Sequence, residues 1–247
     1  MIKIENTDVY GFEAAIRGMR NPMNSWDKSD SGYVDCENYE GVACKSECPY
    51  GHFCIESPYW HYNIGEKDLA LMRKLAHAGD DHGKFARFIN VTVDITAPTY
   101  WWLEFDTYKI GTVANSCSKM HKLLEKPFSI DDFSFDGAGA VVNKSAVSGI
   151  ILDLLNDAKE AYLNFDEFKA QDELKEGIDD KKQIWYAILS LLPMGYNQRR
   201  TVQLNYQVLN RIYHARKNHK LDEWHEFCAW IEKLPYFREI YLGGEDD

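Results

Sequence analysis

Residues 97–121 constrain the fold of this chain more than any other segment. In the preceding residues 84–95, the apolar residues Phe88, Val91, Val93 and Ile95 predict extended structure, a buried strand that enters the Ala97-Pro98 step. Four aromatic residues follow within eight positions, and the hydrogen-bonding side chains Thr112, Asn115, Ser116, Ser118 and His121 come next. Buried polar side chains need partners. The segment is therefore either a packed core element or a ligand site.

Charge and composition limit the classes of function. The chain has 247 residues and a formal net charge of -11, which argues against general binding of nucleic acid or anionic membranes and requires any anion site to be local. No apolar run reaches the roughly 18 residues of a membrane span. The first residues also lack the basic start and apolar stretch of a secretory signal. We expect one cytoplasmic domain spanning residues 1–247.

A segment at about residues 20–64 is rich in Asn, Ser, Gly, Pro and Cys and has no sustained periodicity, which predicts a long insertion loop. The segment contains Cys36, Cys44, Cys48 and Cys54, enough soft ligands for a structural zinc ion. Their gaps of seven, three and five residues differ from the roughly two to four of paired zinc knuckles. Reduced thiols packed in the loop and a disulfide remain the alternatives.

Helical periodicity predicts helices at residues 7–19, 66–78, 144–169, 181–192 and 221–234, and another from Asn197 onwards. In the last of these, Leu204, Val208, Ile212 and Ala215 form one apolar stripe. The same region carries an unusual concentration of arginines, at positions 199, 200, 211 and 216. This concentration is either a solvated helix face or part of an anion site. The pattern as a whole predicts an α/β (α+β) protein with a helical C-terminal third.

The order of these features resembles the flavin-dependent thymidylate synthases, the ThyX family. The family shows APxFxxRQxxRHR, then NExSxRY, and a late LPxxxYTxxxxTxNLRSLxxFLxLR helix. This chain has Ala97-Pro98-Thr99-Tyr100, then Thr107-Tyr108-Lys109 in place of Arg-His-Arg, then residues 115–121, and finally Leu192-Pro193, Tyr196, Thr201, Asn205 and Arg216. Residues 67–85 resemble the family's LIxxLxxxxHxSPxEHxxF segment, which places His82 on the second His. Gln207 stands where the family's Asn-Leu-Arg has its Arg.

The resemblance implies a ThyX-like fold with a central, mainly antiparallel sheet and long helices. It also implies FAD as cofactor, dUMP as the pyrimidine nucleotide that accepts a methyl group, and a homo-oligomer, a tetramer in the family. The implied nucleotide-binding residues are Lys109, Ser118, Lys119 and Arg216. The implied cofactor-binding residues are His82, Tyr108 and Asn205, with Tyr100, Trp101 and Trp102 as a candidate stacking wall or, alternatively, core. No catalytic residue is implied.

Two other functions remain open from the sequence. The changed Arg-His-Arg signature is compatible with an inactive ThyX-like scaffold that acts as a structural or protein-interaction module, because function belongs to the site and not to the scaffold. In that case the Cys-rich loop would be the contact element. The remodelled polar cluster is also compatible with an enzyme that acts on a different nucleotide.

Overall fold

The computed structural model describes residues 2–35, 60–117, 123–135, 144–170 and 180–243. Its strands are β1 (Lys3–Tyr10), β2 (Gly32–Asp35), β3 (Trp60–Asn63), β4 (Asn90–Pro98), β5 (Val113–Ser116) and β6 (Asn197–Asn205). Its helices are α1 (Phe12–Arg20), α2 (Glu66–His77), α3 (Thr99–Phe105), α4 (Lys144–Leu163), α5 (Phe165–Ala170), α6 (Lys181–Leu191), α7 (Tyr206–Arg216), α8 (Asp222–Glu232) and α9 (Phe237–Tyr241).

The chain divides into two compact units. The larger unit comprises Ile2–Ile95, Thr107–Asn115 and Thr201–Asp247, and the smaller unit comprises Thr96–Asp106 and Ser116–Arg200. The expectation of one domain over residues 1–247 stays a prediction.

Four strands form a sheet in the order β1-β4-β6-β5, and β2 and β3 form a separate antiparallel pair. The strand predicted before Ala97-Pro98 is β4, and it buries Val91, Val93 and Ile95 completely. It begins only at Asn90, and Phe88 lies outside it and is exposed. The opposite face of β4 is polar, and Asp94 accepts a hydrogen bond of 2.6 Å from Thr201 Oγ1. The α/β (α+β) class with an antiparallel sheet is therefore confirmed.

The helix predicted from Asn197 onwards is wrong in its first half, because residues 197–205 form β6. Val202, Leu204 and Tyr206 alternate with polar residues, and all three side chains are fully buried. This period of two is that of a strand with one buried face. The predicted stripe therefore joins Leu204, at the end of β6, to Val208 and Ile212 of α7, whereas Ala215 is exposed. The C-terminal third is otherwise helical, as predicted.

The helix predicted at residues 7–19 begins later, because β1 continues to Tyr10. Gly11 separates strand from helix with φ at +100°, a conformation that L residues rarely adopt. A Cβ atom at this position would lie 2.0 Å from the Phe88 carbonyl oxygen. The turn therefore requires glycine for two independent reasons.

Most of the remaining helix predictions agree with the structure to within one or two residues at each end. They correspond to α2, α6 and α8, and the predicted helix at residues 144–169 is divided between α4 and α5. In α8 the apolar side chains of Trp224, Phe227, Trp230 and Ile231 are all buried. The apolar spacing of these helices was thus sufficient to locate them.

The smaller unit has its own apolar core, formed around α4 and α6. Its buried members are Leu123, Phe128, Phe133, Leu155, Ala161, Ile184 and Ile188. Asn156 of α4 accepts a hydrogen bond from the Phe128 amide at 2.8 Å and donates one to the Phe128 carbonyl at 3.1 Å. The segment around Phe128 is therefore held on α4 through both backbone groups of one residue.

The predicted loop at residues 20–64 is more structured at its two ends than expected. Arg20 is the last residue of α1, and short 3₁₀ turns lie at Asn21–Met23 and Trp26–Lys28. The β2–β3 pair follows, in the register Gly32 with Asn63. Cys36, Cys44, Cys48 and Cys54 lie outside the described residues, so the prediction for them is not tested.

A buried ion pair fastens the first end of this segment. Arg20 and Asp68 are 5% and 0% exposed, and Arg20 Nε donates to Asp68 Oδ1 at 2.6 Å. The Nη groups of Arg20 donate to the carbonyl oxygens of Ser25 and Lys28, at 3.1 and 3.2 Å. A buried charge is tolerated when it is paired and its remaining hydrogen bonds are made. The Arg20–Asp68 pair meets both conditions.

Asp68 also accepts hydrogen bonds of 2.6 Å from the hydroxyls of Ser29 and Ser31. Burial raises the pKa of Asp68, but these two hydrogen bonds and the contact with Arg20 outweigh it and bring the pKa below its usual value. The carboxylate is therefore ionised at neutral pH and holds residues 29–31 against α2.

The neighbouring Asp30 caps α2 from outside the helix. Its carboxylate accepts hydrogen bonds from the backbone amides of Lys67 at 3.0 Å and Asp68 at 3.1 Å, two of the donors that a helix leaves unsatisfied at its N-terminus. The closeness of the two segments requires Gly65, since a Cβ atom there would lie 2.3 Å from Asp30 Cγ. The first end of the Cys-rich segment is thus held against α2 by hydrogen bonds and an ion pair.

Candidate functional site

Two of the predicted site residues, Tyr108 and Arg216, are in direct contact in the larger unit. Arg216 is the last residue of α7, and its Nε donates to Tyr108 Oη at 2.8 Å. Both residues are half-buried. Two residues that the resemblance places in separate motifs are therefore neighbours in the larger unit.

The Arg216 guanidinium also contacts two aromatic rings. Its central carbon lies 4.7 Å from the centroid of Trp224 and 5.6 Å from that of Tyr108, and the two rings meet edge to face at 6.1 Å. Contacts between a guanidinium and an aromatic face are worth about 0.5–2 kcal/mol, and Trp gives the strongest. Arg216 is therefore held in one orientation by both a hydrogen bond and ring contacts.

The segment that carries Tyr108 approaches the start of α7 closely. Gly111 has φ at +77°, and a Cβ atom on it would lie 3.0 Å from both Asn205 Nδ2 and Val208 Cγ2. Asn205, a predicted cofactor residue, caps α7 by accepting a hydrogen bond of 3.1 Å from the Val208 amide. Asn205 thus has a structural role at this position, and it lies within contact distance of the Gly111 turn.

Lys109 and His82, the other predicted residues that are described, are both exposed. Lys109 directly follows Tyr108 in sequence. His82 precedes the 3₁₀ turn at Gly83–Arg87. Ser118, Lys119 and His121 lie outside the described residues, and their predicted roles are not tested.

A second charged network near His82 was not anticipated from the sequence. Arg87 Nε donates to Gln207 Oε1, and Arg211 forms an ion pair with Asp80. Gln207 Nε2 lies 3.4 Å from Asp80 Oδ1, which joins the two pairs. The hydrogen bond from Arg211 holds the pKa of Asp80 below its usual value. The network brings two guanidinium groups to the position where the resemblance places an Arg of the family.

The two tryptophans of the candidate stacking wall are buried side chains of α3. Trp101 and Trp102 are 0% and 1% exposed, and Phe105 stacks on Trp101 with ring centroids 5.1 Å apart. Arg200 lies over the Trp102 ring at 4.2 Å and donates to Asp106 at 2.7 Å. The packing alternative for these two tryptophans is therefore the one that the structure favours.

Among the residues that the structure describes, there is neither a metal-binding group of side chains nor a helix that could span a membrane. Across residues 2–35, 60–117, 123–135, 144–170 and 180–243, no group of three or more His, Cys, Asp or Glu side chains is arranged to hold a metal ion. Within the same ranges, no helix combines the length and the apolar character needed to cross a bilayer. A zinc site at the four cysteines stays a prediction.

Comparison with solved structures decides the fold. Thymidylate synthase X (ThyX) from Helicobacter pylori with FAD and dUMP matches with a TM-score of 0.59 and 14% sequence identity, over 98% of this chain and 97% of that chain. This chain has the ThyX fold. A second structure, flavin-dependent thymidylate synthase ThyX from Helicobacter pylori complexed with FAD and dUMP, matches with a TM-score of 0.58 and 14% identity, over 97% of both chains. No protein-family model matches the sequence, and no curated protein matches it.

Low identity and nearly complete coverage together describe a divergent ThyX fold. The sequence resemblance identified the fold from the order and spacing of altered motifs. It could not identify Trp224, Arg87 and Arg211 as neighbours of the predicted residues, because their partners are distant in sequence. The only available signal for Arg211 was the local concentration of arginines.

Proposed function

We propose that this chain binds FAD and dUMP, the two ligands present in both ThyX structures that it resembles. The observation that carries the proposal is the fixed guanidinium of Arg216, held by Tyr108 and Trp224 in a chain whose net charge is -11. A local cation in an acidic protein suits a single phosphate and excludes binding to extended polyanions. Lys109, which directly follows Tyr108 in sequence, would add a second charge.

In this proposal Arg216 and Lys109 hold the phosphate of dUMP. A guanidinium binds phosphate through parallel N–H donors, which gives both strength and orientation. Ser118 and Lys119 complete the nucleotide-binding set that the sequence predicts. The pyrimidine ring would then be oriented from its phosphate end.

The residues around Gln207 fit the diphosphate of FAD. Arg87 and Arg211 supply two cations beside a buried amide, and each of them already binds an oxygen atom of the protein. Phosphate oxygens are acceptors of the same kind, so they could take the place of the Asp80 carboxylate. His82, Tyr108 and Asn205 remain the predicted cofactor contacts. Reduced FAD would supply hydride for transfer of a one-carbon unit from methylene-tetrahydrofolate to the uracil ring.

The first experiment is an absorption spectrum and ligand mass determination on the purified protein, followed by thermal shift with FAD and with dUMP. We expect either flavin absorbance as isolated or an increase in melting temperature with each ligand, because a ligand that binds the folded state stabilises it. Absence of flavin absorbance together with no shift by FAD or any pyrimidine nucleotide would refute the proposal.

A second candidate is a ThyX-fold scaffold without catalysis, and the environment of Gln207 favours it. Gln207 is 8% exposed and both ends of its amide are engaged by Arg87 and Asp80, so the family's Arg has no equivalent side chain at that position. The discriminating assay measures conversion of dUMP to dTMP by protein with bound FAD, reduced chemically with dithionite, and methylene-tetrahydrofolate. Turnover supports an enzyme. Binding of both ligands without turnover supports the scaffold.

We propose in addition that the protein is a cytoplasmic homo-oligomer, a tetramer by family resemblance. Light scattering coupled to size-exclusion chromatography tests this directly. A mass of four chains is expected from the 28.6 kDa monomer, and a monomeric mass at all concentrations would contradict it.

A further inference from the structure

Gln207 of α7 presents its buried amide to two neighbours of opposite charge. The side chain is 8% exposed, and its Oε1 accepts a hydrogen bond from Arg87 Nε. Its Nε2 lies 3.4 Å from Asp80 Oδ1 and 3.5 Å from the Asp80 carbonyl oxygen. An amide has its acceptor and its donors on different atoms, so the oxygens of Asp80 beside Nε2 keep Oε1 turned toward Arg87. Gln207 is therefore oriented to hold this one guanidinium.

The two guanidinium groups of this network differ in what they bind. Arg211 forms an ion pair with the Asp80 carboxylate, whereas Arg87 donates only to the uncharged amide of Gln207. Within the part of the chain that the structure describes, the two Nη groups of Arg87 make no hydrogen bond or ion pair, and the side chain is exposed. A guanidinium has five N–H donors, and four of them are on the Nη atoms. Arg87 thus keeps both its charge and its terminal donors for a ligand.

The backbone that carries Arg87 is anchored in the core of the larger unit. Arg87 is the last residue of the 3₁₀ turn Gly83–Arg87, in which Phe85 and Ala86 are 2% and 0% exposed. The Phe88 amide closes the turn by donating to the Phe85 carbonyl at 3.0 Å. Because the backbone and the Nε edge are both held, Arg87 loses less freedom on binding an anion than an unrestrained arginine would.

We propose that Gln207 is a positioning residue for Arg87, and that Arg87, rather than Arg211, contacts the diphosphate of FAD. The inference rests on the proposed function, because it takes FAD as the ligand of this network. It adds a division of roles: the guanidinium that the resemblance places at position 207 is supplied from the 3₁₀ turn, and the residue at position 207 orients it. The terminal fork of Arg87 has the geometry for parallel hydrogen bonds to two phosphate oxygens.

The first comparison measures FAD affinity by quenching of flavin fluorescence, on full-length protein from which any bound flavin has been removed. We expect Arg87→Gln to weaken FAD about 10- to 100-fold, the loss of charged hydrogen bonds to phosphate. Lys84→Gln is the matched control, because Lys84 is an exposed cation of the same 3₁₀ turn. It should change FAD affinity less than about 2-fold. Equal losses in the two variants would indicate general attraction to positive charge and would overturn the inference.

The positioning role of Gln207 is tested by a double-mutant cycle with Gln207→Met, which keeps the length of the side chain and removes its amide. Alone, Gln207→Met should weaken FAD about 2- to 10-fold, the effect of releasing one side chain from a fixed orientation. Combined with Arg87→Gln, it should add no further loss, because no guanidinium remains to be positioned. Losses that add in the double variant would show that Gln207 acts only on the fold, and would overturn the positioning role.

Arg87→Lys tests the same role at an exposed position, where folding is not at risk. It keeps the positive charge but lacks the Nε–H that Gln207 holds and the planar fork. We expect it to bind FAD at least about 3-fold more weakly than wild type does. Binding equal to that of wild type would show that charge alone is sufficient and would overturn the inference. Should Gln207→Met not fold, Arg87→Lys decides.

The outcomes also separate this inference from the proposed function. If wild type binds FAD and Arg87→Gln binds it equally well, the role of Arg87 is wrong and the proposed binding of FAD stands. If wild type does not bind FAD, the proposed function fails, and this inference fails with it.

Discussion

Two arginines in the larger unit, Arg20 and Arg216, show how the surroundings of one type of side chain separate a structural role from a binding role. Arg20 is 5% exposed, and its donors go to a carboxylate and to two backbone carbonyls. Arg216 is half-buried, and it is held by a phenol oxygen and by the rings of Trp224 and Tyr108.

The difference lies in what a ligand would have to displace. Replacing Asp68 or the carbonyls around Arg20 with an external anion would require the segment between α1 and β2 to detach from α2, and the pair is buried. Arg216, in contrast, is only half-buried, and the contacts described for it join its Nε to a phenol oxygen and its plane to aromatic rings. We therefore assign Arg20 to stability and propose Arg216 for binding.

The largest expected effect is on stability, from Asp68→Asn. The change leaves the Arg20 charge buried without a counter-ion, and loss of one partner of a buried pair costs about 3–5 kcal/mol. Urea denaturation followed by far-ultraviolet circular dichroism measures the change in the free energy of unfolding. A change in the free energy of unfolding close to zero would mean that the Arg20–Asp68 pair does not stabilise the fold, and it would contradict the role assigned to Arg20.

The next effect is the loss of the cap on α2, from Gly65→Ala. The added Cβ would lie 2.4 Å from Asp30 Oδ1, so the carboxylate must move away from the amides of Lys67 and Asp68. We expect a loss of about 1–2 kcal/mol in unfolding free energy, typical of a lost N-cap. Gly32→Ala is the matched control, because nothing lies within 4 Å of its added Cβ. Similar losses in both variants would contradict the assigned role of Gly65.

The third prediction concerns the pH dependence of the stability that Asp68 contributes. The folded-state pKa of Asp68 lies below the reference value of 3.8, so its contribution to stability is complete above that pH range and is lost as the pH falls through the folded-state pKa. The difference in unfolding free energy between wild type and Asp68→Asn should therefore be constant above about pH 5 and should shrink below about pH 4. Denaturation series at several pH values measure it. A difference that grows on acidification would have the wrong sign.

The smallest effect is expected for Asp80→Asn, which removes the carboxylate of the exposed pair with Arg211. Exposed pairs contribute little to stability, since water screens both charges. The melting temperature should change far less than for Asp68→Asn. If the proposed FAD diphosphate site is correct, removal of the competing carboxylate should strengthen FAD binding, which fluorescence quenching of the flavin would detect. Weaker FAD binding would argue against this site.

The elements that could be predicted are those whose periodicity is local. In β4 the alternation of Val91, Val93 and Ile95, and in α8 the spacing of Trp224 and Phe227, match one element throughout. Strand β1 gave no such signal, because Thr7 is the only residue of β1 that is buried. In the region of β6, a four-residue spacing happened to cross a strand–helix junction and imitated one long helix.

The candidate site was predictable to a smaller extent than the fold. Tyr108, Asn205 and Arg216 follow from the resemblance, because motif order survives when motif residues change. The ring of Trp224 beside Arg216, and the pairing of Asp80 with Arg211, depend on contacts between residues that are far apart in sequence. No local pattern encodes which of several arginines is buried in an ion pair and which contacts aromatic rings.

The most direct test of the binding role of Arg216 is isothermal titration of dUMP into wild type and Arg216→Gln. Loss of a guanidinium that binds phosphate should weaken dUMP about 10- to 100-fold, while the free energy of unfolding changes by less than about 1 kcal/mol. With that result, Arg216 would affect binding strongly and stability weakly, in contrast to the stabilising role assigned to Arg20. Equal affinity for dUMP in the two proteins, or no binding to wild type, would contradict the account.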